Sequence, residues 1–192
     1  ESSLKPLSAD ISTKVAFGLG QIKLIQWYAG NDTGEDAINQ FTKVIEEYGN
    51  GNNPRVQEFA SESYLRLGLI YRDQDQEKAI ENISAAAELA TNSARRGLHL
   101  TVLADLYEKA DMQNEANDTR QRAIEDLRGA ISLTDQNNLK ALYWENIAVQ
   151  YENLGEFSRS IEAYENAIEE NPQDQEAIGK YQEKIEDLKQ GN

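Results

Sequence analysis

Trp144-x2-Ile147-Ala148-x2-Tyr151, followed by Ser160-x3-Tyr164-x2-Ala167 and then by Pro172, is the stretch on which the fold turns. Its apolar residues recur at intervals of three and four, which places them on one face of an α-helix. The pattern runs twice and is closed by a proline, so it describes a pair of amphipathic helices folded back on each other. Two helices that cross closely need a small residue at the crossing, and Ala148 and Ser160 supply one on each. Such a hairpin cannot bury its apolar face alone and calls for neighbours of the same kind.

The same spacing recurs upstream. Tyr64, Leu67, Gly68 and Tyr71 precede Ala79, Ile83 and Ala86. Leu100, Leu103, Ala104 and Tyr107 precede Ala116, Arg120 and Ala123. Gln21, Leu24, Ile25 and Tyr28 precede Ala37, Phe41 and Val44. The tyrosines Tyr28, Tyr71, Tyr107 and Tyr151 are separated by 43, 36 and 44 residues, so the second helices or the connections after the first and third units are extended. These tyrosines are expected in the core with a polar tip. Ile25, where the other units have Gly68, Ala104 and Ala148, predicts a first hairpin packed loosely or at an altered angle, and Arg120, where they have Phe41, Ile83 and Tyr164, predicts an exposed part of the third.

The stretch 141–174 resembles the tetratricopeptide repeat W-x2-L-G-x2-Y…A-x3-F…P at every signature position, with conservative replacements. The resemblance implies an all-α fold: a right-handed superhelix of four helical hairpins, in units near 18–51, 61–93, 97–130 and 141–174 within an array over 9–174. A capping helix and tail follow at 175–192, with Ala177, Ile178, Tyr181, Ile185 and Leu188 on one face. Residues 1–8, with Pro6, are expected to be a flexible tether. Asn53-Pro54 reads as an N-cap with a first-turn proline for the third helix, and Asp135 as a cap for the seventh. Gly30–Gly34 and Gly49–Asn53 read as loops.

Composition agrees with a helical scaffold. The 192 residues contain three prolines and are 8% aromatic, with Ala, Leu, Glu and Gln favoured over β-branched types. Mean hydropathy is -0.71. The net charge of -15, from 34 acidic and 19 basic side chains, opposes nucleic acid and anionic lipid. It suits solubility or a basic partner, and residues 141–192, with 12 acids against 4 bases, hold net -8 of it. No apolar run approaches the ~18–20 residues that span a bilayer. The chain begins at Glu1 rather than Met, so an upstream signal or anchor removed in processing is one expectation; cytoplasm and periplasm both stay open.

Catalytic chemistry finds no footing in these residues. Without cysteine there is no thiolate nucleophile, disulfide or thiolate metal site, and His99 is the one histidine. Gly18-x-Gly20 and Gly49-x-Gly51 lack the preceding strand of a phosphate loop. Asp73-x-Asp75-x-Glu77 lacks the glycine and the closing glutamate of a calcium loop and reads as a hairpin turn. No enzyme, cofactor or metal site is expected. Three sequons, at Asn31, Asn82 and Asn117, matter only in a eukaryotic secretory setting.

What the resemblance implies instead is a protein or peptide partner held by the first helices of the hairpins. Carried over by position, the groove takes Leu19, Ile22 and Gln26 from the first unit, and Glu62, Leu65, Leu69 and Arg72 from the second. The third contributes Leu98, Thr101, Asp105 and Glu108, and the fourth Leu142, Glu145, Val149 and Glu152. Ile22, Gln26, Leu65 and Val149 stand where the chaperone-binding subgroup carries its Lys and Asn clamp, so that clamp is missing. The expectation is a scaffold or adaptor whose groove takes an apolar segment with some basic character. Two alternatives remain: a self-associating structural protein, or an envelope-anchored assembly factor of bacteria. The last rests on Phe41-x2-Val44-Ile45 and Ala60-x3-Tyr64-x2-Leu67-Gly68, which are similar to lipoprotein-associated repeats.

Overall fold

The computed structural model describes residues 4–30, 34–49 and 53–191, with side chains from Asp10 onward apart from Tyr48. Among these residues there are nine α-helices and no strand. They are α1 (Leu4–Tyr28), α2 (Glu35–Tyr48), α3 (Pro54–Tyr71), α4 (Gln76–Leu89), α5 (Ser93–Lys109), α6 (Gln113–Leu133), α7 (Asn137–Asn153), α8 (Phe157–Glu170) and α9 (Gln175–Gln190). Each odd-numbered helix through α7 pairs with its successor as a hairpin, and the chain divides into two compact units, 1–91 and 92–192.

In the first unit Phe17 joins three helices: its ring lies 5.8 Å from Phe41 on α2 and 5.5 Å from Phe59 on α3. Ala16, Ala37, Val44, Leu67 and Ile70 complete that core. The α3–α4 crossing is tight, since a Cβ on Gly68 would stand 2.5 Å from Ile83 Cγ1. Ser61 Oγ donates to the Ala86 carbonyl at 2.8 Å across the same hairpin.

In the second unit the core runs from Ile124 and Leu127 on α6 through Ile147 and Tyr151 on α7 and Tyr164 on α8 to Tyr181 and Ile185 on α9. Gly97 lets α5 approach α6, where an added Cβ would be 2.8 Å from Leu127 Cγ. Arg96 Nε donates to Asp126 Oδ2 at 2.7 Å between the same two helices, and the paired carboxylate raises the guanidinium's pKa. The helix α9 closes the end of this unit by stacking Tyr181 on Tyr164, with ring centroids 5.6 Å apart.

Several sequence expectations change. Residues 4–8 lie within α1, so the tether gives way to helix from Leu4 onward. The first hairpin is read in the wrong register: Gly20, not Ile25, is the small residue at its crossing, where a Cβ would meet Phe41 Cε1 at 2.7 Å. Ile25 and Tyr28 are consequently exposed, Tyr71 and Tyr107 are half-buried, and of the four tyrosines only Tyr151 is a buried core residue. Arg120 is fully buried rather than exposed. Asp135 does not cap α7; Gln136 holds the cap position, and its backbone N–H donates to Thr134 Oγ1 at 3.2 Å. Asn53 does cap α3, accepting from the Arg55 N–H at 3.0 Å ahead of Pro54. The Asn31 sequon lies outside the described residues.

Candidate functional site: the faces of the first helices

Helix propensity and apolar period build α1, α3, α5 and α7, and each hairpin turns one stripe of its first helix inward. What remains outward differs from helix to helix. Among the described residues nine large apolar side chains are exposed; six lie on α1, two on α7, and Leu133 stands alone at the end of α6. Scattered exposed leucines are ordinary, whereas concentration on first helices marks a surface that meets something.

On α1, Leu19, Ile22 and Gln26 are exposed as expected of groove residues. On α3, Leu65 and Leu69 are only half-buried and Arg72 is exposed, with Nη2 3.6 Å from Asp73 Oδ2. The sequence reading missed Ile11, Val15, Ile25 and Tyr28, which belong to the same outward side of α1. A signal for them existed: α1 carries apolar residues on the side of Ile11 and Ile22 as well as on that of Phe17 and Trp27, more than one packed face needs.

On α5 the expected residues are mostly committed to the fold. Leu98 packs on the core of its unit, and Thr101 is buried with its hydroxyl donating to the Leu98 carbonyl at 2.7 Å. Asp105 and Glu108 face Arg120 of α6, whose Nη2 lies 3.9 Å from Asp105 Oδ1 and 2.7 Å from Glu108 Oε2. Loss of solvent pushes the Asp105 carboxyl above its usual range, and Arg120 pulls it back less than burial raises it.

On α7, Leu142 and Val149 are exposed, but the acids between and beyond them are already used. Glu145 accepts from Lys180 Nζ at 2.7 Å and from the Tyr181 hydroxyl at 2.9 Å. Glu152 accepts from Lys184 Nζ and from the Tyr164 hydroxyl, both at 3.3 Å. Burial, then these carboxylates, drives both phenols well above the ordinary tyrosine pKa. These two acids are therefore the seat of α9. Between α7, α8 and α9 lies a cavity of about 610 Å³, lined by Leu139, Leu142, Glu145, Ala177, Ile178 and Tyr181 among others.

The turn Asp73–Glu77 is no calcium loop: Asp75 caps α4, accepting from the Lys78 N–H at 3.1 Å. Among the described residues no group of three or more His, Cys, Asp or Glu is placed to hold a metal ion. No described helix is long and apolar enough to cross a membrane.

A family model described as Tetratricopeptide repeat matches residues 141–174, the α7–α8 hairpin with the turn that follows it. That hairpin is a tetratricopeptide repeat. Among solved structures, it is similar to the tetratricopeptide-sensor STAND ATPase PH0952 from Pyrococcus horikoshii, at 14% identity and a TM-score of 0.58. That alignment covers 94% of this chain but 26% of the other, so this chain spans about a quarter of that protein, and the likeness is one of fold. The crystal structure of MamA aligns over 87% of each chain at 25% identity and a TM-score of 0.49. TTC0263, a thermophilic tetratricopeptide protein of Thermus thermophilus, aligns over 89% of this chain and 97% of its own at 18% identity and a TM-score of 0.34. No curated protein matches the chain at a significant level. Tetratricopeptide repeats serve protein interaction in general, and the repeat at 141–174 supports that general role.

Proposed function

We propose that the protein is a non-enzymatic scaffold that holds an apolar segment of a partner protein against the first helices of its hairpins. The single observation that carries this is the confinement of exposed large apolar side chains to α1 and α7, with Leu133 the one exception among the described residues. In the second unit the contact centres on Leu142 and Val149, beside the cavity that α9 completes. Glu145 and Glu152 have their lysine and tyrosine partners within the chain, so basic character in the partner is favoured by the overall charge of -15 rather than by these two carboxylates.

The test is a Leu142→Glu, Val149→Glu double variant used as bait beside the wild type. Both residues are exposed, and helical circular dichroism of the double variant checks that the fold is kept. A partner retained by the wild type should be lost by the double variant and kept by Leu133→Glu, which alters an apolar residue away from the first helices. Equal capture by all three chains refutes the site.

A further inference from the structure

The outward side of α1 has a finer pattern than exposure alone. Ile11, Val15, Gly18, Ile22 and Ile25 are spaced four, three, four and three, the seam of a helix that packs against another helix. Leu19 and Tyr28 flank this seam, and the six large side chains on this side are between 47% and 68% exposed. The opposite side of the same helix, with Phe17, Gly20 and Trp27, is already packed within the first unit. The seam is therefore additional to what the fold uses.

Three further features say what covers it. The pattern reads nearly the same in both directions about Gly18, with isoleucines seven residues to either side, as an antiparallel contact between identical helices requires. A Cβ at Gly18 would meet nothing within 4 Å, so the centre of the seam is open for a second backbone to come close. Charge points the same way: between Asp10 and Asp32 there is no acidic residue, although the chain has 34, and the two charges in between are Lys14 and Lys23. Two copies carrying -15 each repel at most orientations, and this is a side on which they can meet. The seam's own Ile11, Val15, Ile22 and Ile25 expose on the order of 400 Å² per chain, so a symmetric pair buries about 800 Å² there before the flanking side chains add to it, at the small end of specific interfaces.

We infer that the α1 seam binds a second copy of this chain, antiparallel, with the two-fold axis at Gly18. This gives an occupant to the α1 part of the first-helix surface and leaves the α7 part to the partner proposed above. It rests on that reading only in treating exposed first-helix surface as a contact.

Sedimentation of the full chain from about 1 to about 100 µM should show a shift from 21.6 kDa to twice that mass. The dimer should strengthen with added salt, which screens the repulsion between the copies. Gly18→Glu and Ile22→Glu should each sediment as folded monomers, with helical circular dichroism unchanged because both positions face solvent in one copy. Leu142→Glu with Val149→Glu should still dimerise, which separates failure here from failure of the partner site. Because the chain has no cysteine, Gly18→Cys offers a direct reading. Under mild oxidation it should give one covalent dimer, and Leu133→Cys should give none. A wild type that stays monomeric over the range overturns the inference, as does a dimer that survives Gly18→Glu and Ile22→Glu. A monomer that instead floats with phosphatidylcholine–phosphatidylglycerol vesicles also overturns it and reassigns the seam to lipid.

Discussion

Arg120 Nη2 donates to Glu108 Oε2 at 2.7 Å, from a side chain with no exposed surface to a carboxylate that is half exposed. The pair joins the two helices of the third hairpin at the position where the repeat pattern calls for an aromatic. Its two ends are unequal. Arg120 Nε and Nη1 have no hydrogen-bond partner in the protein, so burying the guanidinium is incompletely compensated, whereas Glu108 keeps water. Replacing the arginine by an apolar side chain of similar length, Arg120→Met, should leave stability within about 1 kcal/mol of wild type or raise it. Glu108→Gln leaves the buried cation with Asp105, 3.9 Å away, and should cost roughly 1–3 kcal/mol. The double variant should behave like Arg120→Met alone, because the two residues act as a unit. Urea unfolding of the four chains checks this; a loss beyond about 3 kcal/mol in Arg120→Met would show the ion pair itself to be strongly stabilising. The Asp105 carboxyl should move further upward in that variant, since the charge that pulls it down is gone.

Two glycines on α1 should respond in opposite directions to the same change. Gly18 faces open space, so Gly18→Ala should add roughly 0.5–1 kcal/mol through helix propensity. Gly20 sits under Phe41, whose Cε1 would lie 2.7 Å from a new Cβ, so Gly20→Ala should cost about 1–3 kcal/mol as the ring is displaced. Thermal unfolding at low micromolar concentration, where the chain is monomeric, separates the two. Equal effects would mean that the α1–α2 crossing is not at Gly20.

These cases show what the sequence made legible. The α7–α8 hairpin was readable because every signature position is occupied, even though α7 also carries Leu142 and Val149 outward. The register of the first hairpin was not, because α1 is apolar on both sides and its period cannot choose between them; the choice is made by Phe41, which needs a glycine opposite. Arg120 could be seen as an anomaly but not placed, since residue type says nothing of neighbours twelve and fifteen positions back. Asp105 and Glu108 stand three apart, on one face of a helix, and a basic residue across the hairpin was the readable clue. The face of α7 divides in the same way. Leu142 and Val149 are exposed, but position in the repeat could not show that α9 engages Glu145 and Glu152.

The Asp75 cap should carry a pH signature. Hydrogen bonding from the Lys78 N–H lowers its pKa in the folded chain. A depressed carboxylate contributes stability above its unfolded value, near ~3.9, and loses it as pH falls through the folded value. Asp75→Asn, which keeps an accepting oxygen, should therefore match wild type closely at acid pH and fall below it at neutral pH. Asp75→Ala should be weaker than wild type at neutral pH and approach it as the acid limit is reached. Urea midpoints at several pH values test this, and a constant gap between wild type and Asp75→Ala would remove the carboxylate from the account. Calcium should shift none of the midpoints, since the turn holds a helix cap rather than an ion site.

Alkaline pH should act on the second unit through Tyr164 and Tyr181. Burial raises both phenols first, and the carboxylates of Glu152 and Glu145, which accept their hydroxyl protons, raise them further. In the unfolded chain the same groups ionise near ~10, so from there upward the unfolded state releases protons that the folded state keeps. The stability tied to these tyrosines is thus complete below about pH 10 and is lost as pH rises from there toward the folded values. The tyrosinate absorbance of these two residues, read as the difference between wild type and Tyr164→Phe with Tyr181→Phe, should appear only as helical circular dichroism collapses. The same double variant should flatten the alkaline fall in stability. At neutral pH the Tyr181→Phe change alone should cost about 1 kcal/mol for the lost bond to Glu145, which keeps Lys180. If that difference absorbance instead appears near pH ~10 while the helices stay intact, the α9 seat is open to solvent and its two glutamates are free for a basic partner after all.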